Sequence, residues 1–176
     1  DKGKIIGLVG GDHSTPLGLL RALAEHHESF GILHIDAHAD LREAYEGFTY
    51  SHASIMFNAL KLQQIQKLVQ VGIRDLCQDE FELAQADRRV VMFNDYDLKA
   101  EAFNGKLWHQ QCEAIVAQLP QKVYISFDID GLQPELCPNT GTPVVGGLSF
   151  NQAHYLLRMV VKSGKQIIGF DLNEVS

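Results

Sequence analysis

Two histidines and four aspartates of this chain follow directly on short apolar runs. Ile5-Ile6-Gly7-Leu8-Val9 leads into Gly10-Gly11-Asp12-His13-Ser14, and Gly31–Ile35 leads into Asp36-Ala37-His38-Ala39-Asp40. Val123–Phe127 leads into Asp128-Ile129-Asp130-Gly131, and Ile167–Leu172 into Asn173-Glu174. In extended chain, residues i, i+2 and i+4 face one side, so Asp36, His38 and Asp40 converge, as do Asp128 and Asp130. Four gathered carboxylates repel and raise one another's pKa values unless a cation sits among them. With His13 and His38 they offer more donors than one ion needs, which points to a two-metal site. Oxygen-rich ligands with imidazoles favour a hard to borderline ion, Mn²⁺ ahead of Zn²⁺.

Each motif alone has a plainer reading. Asp-x-Asp is commonly a loop or cap, and Asp12-His13 could be a simple turn with His13 as a cap or core residue. Their recurrence at several strand ends is what carries the metal reading. His26, His27, His109 and His154 fall within helical stretches and read as solvated or packed. His34, on the side of Asp36 by alternation, reads as a satisfied core histidine. Cys77, Cys112 and Cys137 are widely spaced with no CxxC pair, so they read as inert thiols of a reducing cytoplasm.

The elements that must position these groups alternate along the chain. Apolar, β-branched runs at 4–10, 31–36, 67–73, 89–94, 122–130 and 166–175 are nearly continuous, the pattern of strands buried on both faces of a parallel sheet. Between them, Thr15-Pro16 reads as an N-cap and first helical residue, opening a helix to about Glu28. Ser149 and Gln152 form a capping box for a helix to about Lys162, stopped at Gly164. Trp108, Cys112, Ile115, Val116 and Leu119 recur at helical spacing, and weaker helices are expected at 52–62 and 79–86. The expected fold is α/β, three layers α/β/α with a mostly parallel sheet. In such sheets ligands bind beyond the carboxyl ends of the strands, where the acidic and imidazole groups lie.

The chain has 176 residues, 15 basic and 22 acidic, and a formal charge of −7. This balance argues against nucleic acid, which needs a basic face. The early apolar run is far short of the ~20 residues of a membrane helix. One domain over 1–176 is expected. With strands at both ends and nothing in the chain to cover their outer edges, it reads as the central part of a larger catalytic domain, lacking N- and C-terminal parts.

At these motifs the sequence resembles the ureohydrolase family of arginase, agmatinase, guanidinobutyrase and formimidoylglutamase. Thr140-Gly141-Thr142-Pro143 and Gly146-Gly147-Leu148-Ser149 continue the pattern in the same order. Asp40-Leu41-Arg42-Glu43-Ala44-Tyr45-Glu46-Gly47 and Tyr50-Ser51-His52-Ala53 are most similar to the agmatinase branch. The resemblance implies an arginase-like fold and two Mn²⁺ ions per subunit bridged by Asp36 and Asp128. His13 and Asp40 would complete one shell, and His38 and Asp130 the other. It implies that His52 shuttles protons, that Glu174 holds the guanidinium, that Thr142 lies near Glu174 in the substrate site, and that Asp130 passes a proton. The implied reaction is hydrolysis of a guanidino compound, agmatine first, to urea and an amine (putrescine) by a hydroxide bridging the two ions. Formimidoylglutamase and guanidinobutyrase remain alternatives, and Arg42, which reads as a partner of Glu43 or Glu46, would repel an amine and welcome a carboxylate. The resemblance also implies a cytoplasmic homo-oligomer, trimer or hexamer, acting on a small molecule.

Three rivals stand beside it. A one-zinc deacetylase needs fewer acidic ligands, and a two-metal phosphoesterase would be opposed by Glu174 at the mouth. A metal-binding structural domain would bind the ion and release no urea.

Overall fold

A computed structural model of the chain describes residues 3–175; residues 1, 2 and 176 of the expected 1–176 domain lie outside the described residues. Its strands are β1 (Ile6–Val9), β2 (Phe30–Ile35), β3 (Ile65–Ile73), β4 (Val90–Asn94), β5 (Lys122–Asp128) and β6 (Gln166–Asn173). They form a single sheet in the order β1-β6-β5-β2-β3-β4, with every neighbouring pair parallel. The helices are α1 (Pro16–His26), α2 (Ile55–Ala59), α3 (Gln78–Ala86), α4 (Asp95–Phe103), α5 (Trp108–Gln118) and α6 (Phe150–Lys162).

The three layers follow from β2, whose six residues are all buried. Phe30 and Ile32 join the core built with Leu20 of α1, Met56 of α2 and Leu83 of α3. Leu33 and Ile35 point the other way, onto Leu98 of α4, Ile115 of α5 and Leu156 of α6. Alternation in a strand buried on both faces thus makes two cores, one per face. Cys112 is a buried member of the second, and all three cysteines are free thiols.

Several expectations need correction. β1 is not buried on both faces: Ile5, Ile6 and Val9 are exposed, because it pairs only with β6 at the rim of the sheet. Thr15 makes no cap bond to α1; its hydroxyl donates to Asp12 O and Asn173 Oδ1, both at 3.0 Å. α1 stops at His26, two residues short of Glu28. The stretch 52–62 is a 3₁₀ turn, His52–Ser54, followed by the short α2. β5 ends at Asp128, where the chain turns into a 3₁₀ segment, Ile129–Gly131, and β6 ends at Asn173. α4 was not expected at all. It buries only Asp95 and Leu98, so it has no apolar stripe to read. Its signal was Asn94, whose side chain accepts from Asp97 N as an N-cap. The Ser149–Gln152 capping box of α6 is present in both directions.

Candidate metal centre

The sheet order makes β1, β6, β5 and β2 consecutive neighbours, and all are parallel, so their carboxyl ends share one rim. That rim brings the distant motifs together. His13 Nδ1 lies 3.1 Å from Asp36 Oδ2 and 3.2 Å from both Asp40 Oδ2 and Asp128 Oδ2. His38 Nδ1 lies 3.2 Å from Asp130 Oδ2 and 3.4 Å from Asp36 Oδ1. Two donor groups therefore adjoin, with Asp36 common to both.

The convergence does not come from extended chain. β2 ends at Ile35, and Asp40 has a left-handed backbone, φ 54°. Loop hydrogen bonds place these groups instead. Asp36 N donates to Val71 O at 3.2 Å, and Arg74 N and Asp75 N donate to Ala37 O. Asp130 likewise sits in a turn, donating its N–H to Asp128 Oδ1 at 2.9 Å and accepting from Ala37 N at 3.1 Å. Gly131 allows the close approach, since a Cβ there would stand 2.8 Å from Asp36 N.

Six side chains with four buried carboxylates make a strongly coupled site. Burial, and then the charge of Asp36, push Asp128 up to about 8 and Asp40 up to about 6. At Asp36 burial works the same way but is outweighed by His34, His13 and His38, which hold it well below the usual range. Against the opposing effect of burial, bonds to Asp130 and Asp36 raise His38 to about 11, and Asp128, Asp36 and Asp40 raise His13 well above its ordinary value. The histidines are the internal counter-charge of the carboxylates.

The tautomer of His13 follows from its far side. Asp171 Oδ1 accepts from Ser126 Oγ, Phe127 N and Asn173 Nδ2 at 3.0, 3.2 and 2.6 Å. Ser126 has given its proton to Asp171, so at 2.9 Å it accepts from His13 Nε2–H. Nδ1 is then the nitrogen that faces the three carboxylates, and a cation taking the place of its proton would meet its lone pair. His13 Nδ1 and Asp40 Oδ2 are also buried without hydrogen-bond partners. An orphaned imidazole nitrogen and carboxylate oxygen at this spacing fit a divalent cation, as do the two clusters His13–His34–Asp36–Asp40 and Asp36–His38–Asp130.

His34 is satisfied, as expected, but not as a mere core residue. Gln70 Nε2 donates to its Nδ1 at 3.0 Å, so Nε2–H donates to Asp36 Oδ2 at 2.7 Å and holds that carboxylate. Gln70, Ser126, Asp171 and Asn173 carried no role in the sequence reading. The available signal was Asp171 itself, an acid inside an otherwise apolar run.

Beside the cluster opens a cleft of about 180 Å³ lined by Asp12, His38, His52, Thr142 and Glu174 among others. Glu174, φ 58°, accepts from His13 N at 2.8 Å through Oε1. His52 Nδ1 meets Asp12 Oδ2 at 3.1 Å, with the Tyr45 ring edge-on at 5.5 Å. Thr142 Oγ1 donates to Asp130 Oδ2 at 3.3 Å and shares the cleft lining with Glu174. The expected partners of Arg42 are corrected: its Nε lies 3.6 Å from Glu80 Oε2, and its guanidinium stands over the Tyr45 ring. His109 lies apart, 2.9 Å from the Tyr155 hydroxyl.

An α/β domain with a carboxylate–imidazole cluster on the strand rim is a frame suited to holding divalent cations. The chain belongs to the Arginase family, whose sequence profile matches residues 1–176. It is 39% identical over 174 residues to the N(1)-aminopropylagmatine ureohydrolase of Thermus thermophilus, covering 99% of this chain and 56% of that protein. It is 34% identical over 178 residues to the guanidinobutyrase of Pseudomonas aeruginosa, covering 96% of this chain and 52% of that protein. The crystal structure of the agmatine ureohydrolase of Thermoplasma volcanium superposes with a TM-score of 0.80 at 32% identity, over 99% of this chain and 55% of that one. The chain thus spans about half the length of the relatives it matches. Among the described residues, no helix is long and apolar enough to cross a membrane.

Proposed function

We propose that this chain is the catalytic part of a ureohydrolase that cleaves a guanidino compound, agmatine foremost, to urea and an amine. The observation that carries the reading is the pair of donor groups sharing Asp36 beside a cleft that ends on Glu174. Two Mn²⁺ ions are proposed, one held by His13, Asp36, Asp40 and Asp128 and the other by His38, Asp36, Asp128 and Asp130. Such a pair acidifies water, supplying a hydroxide nucleophile near neutral pH.

The remaining steps belong to side chains. A guanidinium carbon is a poor electrophile, so it must be held in line. The Glu174 carboxylate grips the planar cation through charge-assisted hydrogen bonds and aims its carbon at the cluster. Its Oε1 is already anchored to His13 N, which leaves Oε2 as the freer oxygen. The amine leaves only when protonated. Asp130 Oδ2, bonded from Thr142, passes a proton towards it. His52 supplies protons from solvent through Nε2, its Nδ1 being tied to Asp12.

A cationic tail suits the cleft. Arg42 is paired with Glu80 and faces Tyr45; Asp12 lines the cleft, and Asp75 and Glu80 line an adjoining hollow that shares His38, Asp40, His52 and Thr142 with it. A guanidinobutyrase reading rests on Arg42 releasing Glu80 to take a carboxylate. Urea release from agmatine, 4-guanidinobutyrate, arginine and guanidine with Mn²⁺ supplied tests the proposal, with formiminoglutamate followed through formamide. Agmatine is expected to be the best substrate; no urea from any of them sinks the reading. A homo-oligomer, trimer or hexamer, is proposed with it and is read by light scattering, and a cytoplasmic site by fractionation.

A further inference from the structure

Arg74, the residue after β3, has no part in the chemistry above, yet its guanidinium reaches three backbone segments around the centre. Nη2 donates to Asp130 O at 2.7 Å, Val144 O at 3.0 Å and Leu132 O at 3.1 Å. Nε donates to Val144 O at 3.1 Å and Nη1 to Gly72 O at 3.0 Å. A planar fork of five N–H groups can serve carbonyls spread this way; the compact ammonium of lysine cannot.

The loop is shaped to lie across it. Gly146 and Gly147 have φ 105° and 94°. A Cβ at Gly147 would meet Leu132 O at 2.6 Å and Arg74 Nη2 at 2.9 Å, and one at Gly146 would meet Asp95 Oδ2 at 2.6 Å. Lys99 Nζ fastens the far side by donating to Gly147 O at 2.9 Å.

We propose that Arg74 is a positioning residue. By bonding the main chain of Asp130 and Val144 at once, it clasps loop 140–147 to the Asp130 turn and so sets where the Asp130 carboxylate and Thr142 hydroxyl stand. This rests on the proposed function only in giving Asp130 a metal-holding and proton-moving role.

The test compares Arg74→Lys and Arg74→Gln with the unaltered chain by three readouts. These are amide exchange of residues 140–147 against α6, affinity for Mn²⁺ alone, and kcat and KM for urea release. In Arg74→Lys, which keeps the charge, the loop should exchange faster while α6 does not. Mn²⁺ affinity and kcat should each fall about 10- to 100-fold, with KM within about threefold. Loop exchange and Mn²⁺ affinity unchanged within about twofold overturns the proposal. A looser loop with unchanged affinity and kcat also overturns it, making Arg74 a brace of the loop alone, and so does a raised KM at constant kcat. If Arg74→Gln fails to fold by circular dichroism, Arg74→Lys decides. If the unaltered chain releases no urea, the functional reading fails, while exchange and metal titration still judge Arg74.

Discussion

Ser126 and Asp171 stand opposite each other across the β5–β6 pairing, and the Ser126 hydroxyl donates to Asp171 Oδ1 at 3.0 Å. Because that proton is committed, Ser126 can only accept from His13 Nε2–H, which leaves Nδ1 as the nitrogen that faces the carboxylates and would take a cation. A residue of β6 whose Oδ1 stands 3.8 Å behind His13 Nε2 thereby fixes which nitrogen of His13 faces the cluster. Asp171→Asn puts this at risk, since an amide can turn its NH₂ toward Ser126 and reverse the chain of donors. Mn²⁺ affinity is expected to fall about 10- to 100-fold with the fold intact. Titration of the purified variant with Mn²⁺, following the free ion by electron paramagnetic resonance, checks this; unchanged affinity would remove Asp171 from the network.

The cluster also dictates how the metal-free protein responds to pH. Asp128 and Asp40, raised from 3.8 to about 8 and about 6, hold protons in the folded chain that the unfolded chain has lost. His38, raised from 6.5 to about 11, and His13, raised in the same direction, do likewise at higher pH. For a raised folded pKa, stability is present below the unfolded value and lost as pH climbs through the folded one. Asp36 is shifted the opposite way, and its window lies below 3.8, outside the neutral range. With EDTA present, Tm should therefore fall steadily from about pH 6 to 9. Mn²⁺ binding displaces those protons, so the rise in Tm on adding Mn²⁺ should be larger at about pH 8 than at about pH 6. A Tm that climbs over this range in EDTA would contradict the protonation pattern.

Glu174, proposed to hold the guanidinium, offers a way to separate substrate binding from metal binding. Its Oε1 is bonded to the backbone of His13, but it supplies no atom to either donor group. Glu174→Gln keeps the size and an acceptor while removing the charge proposed to hold a guanidinium. Mn²⁺ content should be unchanged and urea release should drop by about 100-fold or more. Metal analysis alongside a urea assay reads both. Full activity in this variant would assign the guanidinium to another carboxylate of the cleft.

How much of this was legible in sequence depended on whether a signal was local. The runs at 31–36 and 122–130 read as strands, with ends one or two residues off the observed Phe30–Ile35 and Lys122–Asp128, because burial on both faces leaves a nearly continuous apolar string. α6 read correctly because its capping box is four residues long. The six clustered side chains were visible because each lies at, or within five residues after, the carboxyl end of an apolar run. α4 was hidden because it packs through one leucine and an acid, and the exposure of β1 was hidden because a rim strand is as apolar as a central one. Asp40 arrives through a left-handed turn that no spacing rule describes. Arg42 finds Glu80 rather than its nearer neighbours because Glu80 is the N-terminal box residue of α3, brought beside it by the fold. Arg74 works wholly through backbone carbonyls, which leave no mark in the identity of their residues.

His52 joins the 3₁₀ turn to the cleft with its Nδ1 on Asp12 and its ring beside Tyr45, and its side chain is 41% exposed. That exposure is what a group exchanging protons with solvent requires. His52→Asn removes the titrating ring but keeps a donor able to reach Asp12. Turnover should fall by about 100-fold or more with little change in KM, the usual scale for a lost general acid. Exogenous imidazole should restore part of it, because the half-open position admits a small base to the same spot. Rescue should grow as imidazole derivatives of pKa closer to the working pH are used. Loss without rescue by any derivative would make His52 a structural partner of Asp12 and Tyr45, and unchanged turnover would leave proton delivery to Asp130 and water alone.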